Sequence, residues 1–114
     1  MLVSNLELLH RIQDEVDFIL LATNNKTKDE VTDDAILSRA VIRSLEIIGE
    51  ATKKLGDEFK TEHPGAEWSK MARTRDRLIP DYFGVNYDII WDIIQNKLPD
   101  LQYYIACIFK ETGL

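Results

Sequence analysis

Disulfide chemistry is the first thing this chain has no means to perform. It carries one cysteine, Cys107, in 114 residues, so no internal disulfide forms, and the thiol is expected to pack as a small apolar group in a reducing compartment. Turn-formers are scarce too. With 5 glycines and 3 prolines there are few of the breaks that a strand-rich fold requires, and many helices with few strands is the natural expectation. No apolar run approaches the roughly 18 residues of a membrane span. The start, Met1-Leu2-Val3-Ser4, lacks the basic residues and long apolar core of a signal peptide. A cytoplasmic location without a membrane partner is expected. There is no Gly-rich phosphate loop, no metal-spaced His/Cys pattern and no Gly-x-Ser-x-Gly elbow, so no metal and no cofactor are expected. His10 and His63 have no plausible nucleophile nearby in sequence and read as structural or exposed.

Positive charge is in deficit. Lys and Arg number 14 against 20 Asp and Glu, for a net charge of −6, which argues against indiscriminate binding to nucleic acid, since phosphate affinity rests on cations. Any RNA contact must be local. Five of the six arginines (Arg39, Arg43, Arg73, Arg75 and Arg77) fall between residues 39 and 77, whereas acids dominate 14–34 and 81–100. At this length, with 45% hydrophobic residues, one domain spanning 1–114 can bury about two-thirds of its unfolded surface.

The apolar rhythm is helical. Ser4-Asn5-Leu6-Glu7 has the form of a capping box, and Leu6, Leu9, Ile12, Val16 and Ile19 then repeat at three and four, predicting a first helix over about 4–23. Residues 24–34 are polar and read as a loop or a frayed helix start. A second helix is predicted to begin near Thr32–Asp34 and to stop at Gly56, with Leu37, Val41, Ser44, Ile48, Ala51 and Leu55 forming a seam. Ile36, Ala40 and Ile47 lie outside that seam, which suggests a second covered face and self-association; Gly49 permits close backbone approach. Arg39, Arg43, Glu46 and Glu50 are spaced four, three and four apart. That spacing first suggests an intrahelical ladder; alternatively Arg39 or Arg43 reaches another arginine-rich segment, with Glu46 or Glu50 balancing an arginine there. Residues 57–63 add a short turn before Pro64-Gly65. Asn86 is placed to cap a fourth helix, with Ile89, Ile90, Trp91, Ile93 and Ile94 apolar, and Pro99 to start a fifth that ends at Gly113. An all-α, up-down bundle of four to five helices follows.

The third helix holds the anomaly. In Trp68–Tyr82, the residues Trp68, Met71, Ala72, Arg75, Ile79 and Tyr82 share one face at helical period, so Arg75 sits within an apolar stripe. A guanidinium there must be paired or line a cleft. Pro80 should end or kink the helix near Ile79 and bring Asp81 and Tyr82 close to Arg75.

The series Arg39–Ala51, Trp68, Arg75-Asp76-Arg77-Leu78-Ile79, Tyr82-Phe83-Gly84-Val85-Asn86 and Ile89-Ile90-Trp91 closely resembles the HepT-like family of HEPN domains, over about residues 4–110. The resemblance implies a homodimeric HEPN-like bundle. It implies a metal-independent RNA endonuclease that serves as the toxin of a toxin–antitoxin pair. It also implies a partner, an MntA-like minimal nucleotidyltransferase, that silences the toxin by adding AMP to a tyrosine. The family motif is arginine, four residues, histidine, one residue, tyrosine. It maps onto Arg75, then Asp76 to Ile79, then Pro80 in place of the histidine, then Asp81 and Tyr82. The implied roles are Arg75 at the catalytic centre and Tyr82 as the modified residue. Asp76, next to Arg75, is a further catalytic candidate, and the spacing on the second helix makes Arg39, Arg43 and Glu50 the candidates for a binding cleft. Proline has no proton to exchange, so the chemistry assigned to the histidine has no counterpart at position 80. A dimer that has lost catalysis and persists as a partner of the nucleotidyltransferase, or as a nucleotide- or RNA-binding adaptor, is the alternative.

Overall fold

The computed structural model describes residues 4–78 and 84–113. Its frame is an antiparallel pair of long helices, α1 (Asn5–Ala22) and α3 (Ala35–Lys54). Ser4 caps α1, its hydroxyl accepting from the Glu7 N–H at 3.1 Å. Leu9, Ile12, Val16 and Ile19 then lose all solvent exposure, as their spacing requires. Asp34 caps α3 by accepting from the N–H groups of Ile36 and Leu37. The expected seam is buried at Val41, Ser44, Ile48, Ala51 and Leu55, with Leu37 half-buried. Each such Leu, Ile or Val contributes about 1.5–3 kcal/mol by leaving water. Ile36 remains 85% exposed, while Ala40 and Ile47 are half-buried.

The segment expected as a loop contains a helix. Thr27 and Glu30 form a reciprocal capping box that starts α2 (Lys28–Thr32), and Val31 anchors it in the interior. Lys28 pairs with Asp88. The short turn after Gly56 is α4 (Asp57–Glu62), which buries Phe59.

The third predicted helix is broken in two: α5 (Trp68–Ala72) and α6 (Thr74–Leu78), with Arg73 between them. The cause is Thr74. Its buried hydroxyl donates to the carbonyls of Met71 at 2.7 Å and Lys70 at 3.4 Å. A continuous helix would give those acceptors to the N–H groups of Arg75 and Thr74.

Conversely, two helices expected to be separate are joined. Asn86 caps α7 (Tyr87–Asp92) through the Ile89 N–H. The backbone then runs through a single widened π turn, Ile93–Lys97, into α8 (Leu98–Thr112). Pro99 lacks an N–H, and in a regular helix its ring would collide with the carbonyl four residues back, Gln95, which lies in the widened turn. Gly113, at φ 76°, ends α8 in the left-handed region that glycine tolerates. The architecture is therefore the expected all-α, HEPN-like bundle, with the third helix split and the fourth and fifth fused.

Candidate functional site: an arginine held over helix α3

Gly49 sets the distance between α3 and the α5–α6 arm. A Cβ on it would lie 3.2 Å from the Met71 carbonyl oxygen and 3.8 Å from that of Ala72, so the backbones meet where only hydrogen fits comfortably. One helical turn back from Gly49 stands Glu46. Its carboxylate lies 3.7 Å from the Arg75 guanidinium Nε, with the glutamate side chain 27% exposed and the arginine 68% exposed.

This corrects the expectation that Arg75 faces inward with Trp68 and Met71. The interior face of the arm runs through Trp68, Met71, Thr74 and Leu78, at spacings of three, three and four, and Arg75 lies off it and is exposed. Its partner is nevertheless on α3, within the same chain. Left exposed, the guanidinium avoids the several kcal/mol that burial would cost.

The other sequence candidates fall as follows. Arg39, Arg43 and Glu50 lie exposed on the outer stripe of α3, and Asp76 is exposed on α6. The intrahelical ladder does not form: Glu46 is drawn to Arg75, and Glu50 pairs with Lys53 at 3.6 Å. Among the described residues, neither Arg39 nor Arg43 has a carboxylate within 4.0 Å. Pro80, Asp81 and Tyr82, and with them the expected approach of Asp81 and Tyr82 to Arg75, lie outside the described residues. Either side of that segment, the Asn86 N–H donates to the Leu78 carbonyl at 2.9 Å, which holds the end of α6 against the start of α7. Among the described residues no group of three or more His, Cys, Asp or Glu is arranged to hold a metal ion.

A second feature had no sequence signal. Between α3, the α5–α6 arm and the π turn with α8 lies a groove of about 360 Å³. Leu45, Ile48, Ile93 and Leu101 are among its apolar lining; Arg77, Lys70, Lys97 and Glu67 are among its polar lining. Tyr104 forms one side, its hydroxyl accepting from the Gly65 N–H at 2.9 Å, and its ring lies 6.5 Å from that of Trp68. Glu67 stands between two ammonium groups, Lys70 at 2.7 Å and Lys97 at 3.2 Å. Hydrogen bonds from Lys70 first and Lys97 second hold its carboxyl below the usual glutamate range. Only Glu67-x-x-Lys70 is legible as an i, i+3 pair; Lys97 arrives from 30 residues further along the chain.

The fold defines the chain as an all-α helical bundle, and comparison with known proteins narrows it to a family. Residues 12–108 match the family model described as Ribonuclease HepT-like; the chain belongs to that family. It is 49% identical over 105 residues to a candidate RNase of Methanocaldococcus jannaschii, covering 92% of this chain and 84% of that protein. It is 40% identical over 103 residues to a candidate RNase of Caldanaerobacter subterraneus subsp. tengcongensis, covering 90% and 92%. A candidate ribonuclease HepT of Thermococcus cleftensis shares 37% identity over 99 residues, covering 87% and 90%. No solved structure matches the chain.

Proposed function

We propose that this chain is a HepT-like RNA endonuclease, the toxin of a toxin–antitoxin pair, acting in the cytoplasm as a homodimer without a metal or cofactor. In this reading Arg75 binds the scissile phosphate. The observation that carries it is the exposed guanidinium that lies beside the Glu46 carboxylate over α3: it is open to an incoming phosphate from solvent, and a planar fork suits that oxyanion. The ribose 2′-hydroxyl oxygen bonds to phosphorus as the bond to the 5′-oxygen breaks, and Arg75 stabilises the charge on the phosphate oxygens. Arg39 and Arg43, exposed on α3, supply further contacts for the RNA backbone, and Glu50 and Asp76 flank them.

Pro80 stands where the family motif has histidine. The proton released by the 2′-hydroxyl and the proton taken up by the leaving oxygen are then exchanged with water. Lack of a positioned acid and base slows such reactions by about 10²- to 10⁴-fold. Tyr82 is the residue to which an MntA-like minimal nucleotidyltransferase adds AMP, and the added negative charge opposes the binding of RNA. Incubation of the purified protein with transfer or messenger RNA tests the reading. Slow cleavage that disappears in Arg75→Ala and accelerates in Pro80→His is expected; cleavage indifferent to Arg75 refutes it.

The same proline favours a second reading, in which the chain binds the nucleotidyltransferase without cleaving RNA. Stable co-purification with that enzyme, together with Arg75-independent silence toward RNA, distinguishes it. Failure to form any complex excludes it.

A further inference from the structure

The groove beside α5 is built like a binding site for something planar, apolar and singly or doubly anionic. Its floor is aliphatic, from Leu45 and Ile48 of α3 and Leu101 of α8. Tyr104 presents a ring whose hydroxyl is fixed by the Gly65 N–H. The volume, about 360 Å³, lies in the range of small-molecule sites. At the rim, one carboxylate is clasped by two ammonium groups approaching from different elements, Lys70 of α5 and Lys97 at the end of the π turn. Glu67 therefore sits where a ligand anion would be bound. Its side chain is 48% exposed, and rotation toward water would release both lysines. Two further acids line the groove: Asp92 on α7, which accepts from Asn96 at 2.7 Å, and Asp100 in the first turn of α8.

We propose that this groove binds one nucleotide unit of RNA, the base against Tyr104 and the aliphatic floor, the phosphate between Lys70 and Lys97 in place of the Glu67 carboxylate. The ligand class rests on the ribonuclease reading, because a nucleotide is the unit that unites a flat base with a phosphate. Arg75 and Arg77 lie on different faces of α6, the first on Glu46 and the second lining the groove. One strand crossing α6 thus meets a phosphate contact at Arg75 and a base subsite beyond it. Aromatic contact with a base is worth about 1–3 kcal/mol and is tolerant of sequence. The groove accordingly adds affinity for unpaired RNA without demanding a particular base.

Glu67 makes the proposal separable from a merely structural role for the clasp. As an internal competitor it weakens binding, so removing its charge strengthens it. The experiment titrates AMP, adenosine and inorganic phosphate into the full chain, with binding read from backbone amide shifts in NMR spectra. AMP is expected to shift Lys70, Lys97 and Tyr104 saturably, with adenosine and phosphate each at least about tenfold weaker. Glu67→Gln tightens AMP severalfold, and a Lys70→Ala/Lys97→Ala pair, both exposed and compatible with the fold, weakens it about tenfold. Arg75→Ala leaves AMP binding unchanged while slowing RNA cleavage about 10²- to 10³-fold, so the groove and the ribonuclease reading fail separately. Weaker binding in Glu67→Gln, indifference to the lysine pair, or shifts confined to α3 around Arg39 and Arg43 would each overturn the proposal. So would the absence of AMP binding at millimolar concentration.

Discussion

The α1–α3 pair and the α5–α6 arm are both helical and touch each other, yet they obey different constraints. In the pair, Leu9, Ile12, Val16, Ile19 and Val41 are fully buried, and every outward position is free to be polar. In the arm, two helices of five residues each bury only Trp68, Thr74 and Leu78, carry Arg75 and Arg77, and have Arg73 between them. A long helix can satisfy its interior by repetition. A short one in contact with a close-packed neighbour at Gly49 buries few side chains, and its arginines stay on the faces turned from the interior or at its edge.

The contrast can be broken from its stable side first. Ile12→Ala, in the fully buried stripe of α1, is expected to lose about 2–5 kcal/mol of folding stability in a denaturant titration. Next, Gly65→Ala must push aside the Tyr104 ring, which would clash with the new Cβ, and lose the bond from the Gly65 N–H. A loss of about 1–3 kcal/mol is expected by the same titration. Gly49→Val opposes the Met71 carbonyl in the same way and should lower stability by a similar amount. It should also move Arg75 from Glu46, seen as altered side-chain shifts of both. Thr74→Ala returns the Lys70 and Met71 carbonyls to the helix, so the Arg73 backbone shifts are expected to become helical with a stability change under about 1.5 kcal/mol.

Acid gives the smallest effect. The folded Glu67 carboxyl ionises at lower pH than the unfolded one. Its contribution is therefore complete above the usual glutamate range and fades as pH falls through the lowered value. The difference in melting temperature between the parent protein and Glu67→Gln should shrink below about pH 4.

The bundle was legible because apolar spacing records burial directly: α1, α3, α7 and α8 emerge from Leu9–Ile19, Val41–Leu55 and the isoleucines that follow Asn86. Where the reading failed, the apolar period carried no warning. Thr27 and Glu30 made a helix in a stretch with one apolar anchor, and the break at Arg73 falls within a regular apolar spacing. Pro99 does stand in the first turn of α8, as expected, but the π turn Ile93–Lys97 that joins α7 to it had no sequence signal. For the site, Arg75 and Glu46 were both legible as candidates, but not the outward register that joins them. The Glu67 clasp depends on Lys97, which no local pattern connects to residues 67–70.

The proposed activity rests on the exposed Arg75 guanidinium beside Glu46. It is tested most directly by the rate at which one defined single-stranded RNA is cleaved by the parent protein, Arg75→Lys and Arg75→Ala, with melting recorded on the same samples. Melting temperatures within about 3 °C of one another are expected, with cleavage reduced about 10²- to 10³-fold in Arg75→Ala and only partly rescued by lysine, which keeps the charge but not the fork. Equal cleavage by all three folded proteins would contradict it.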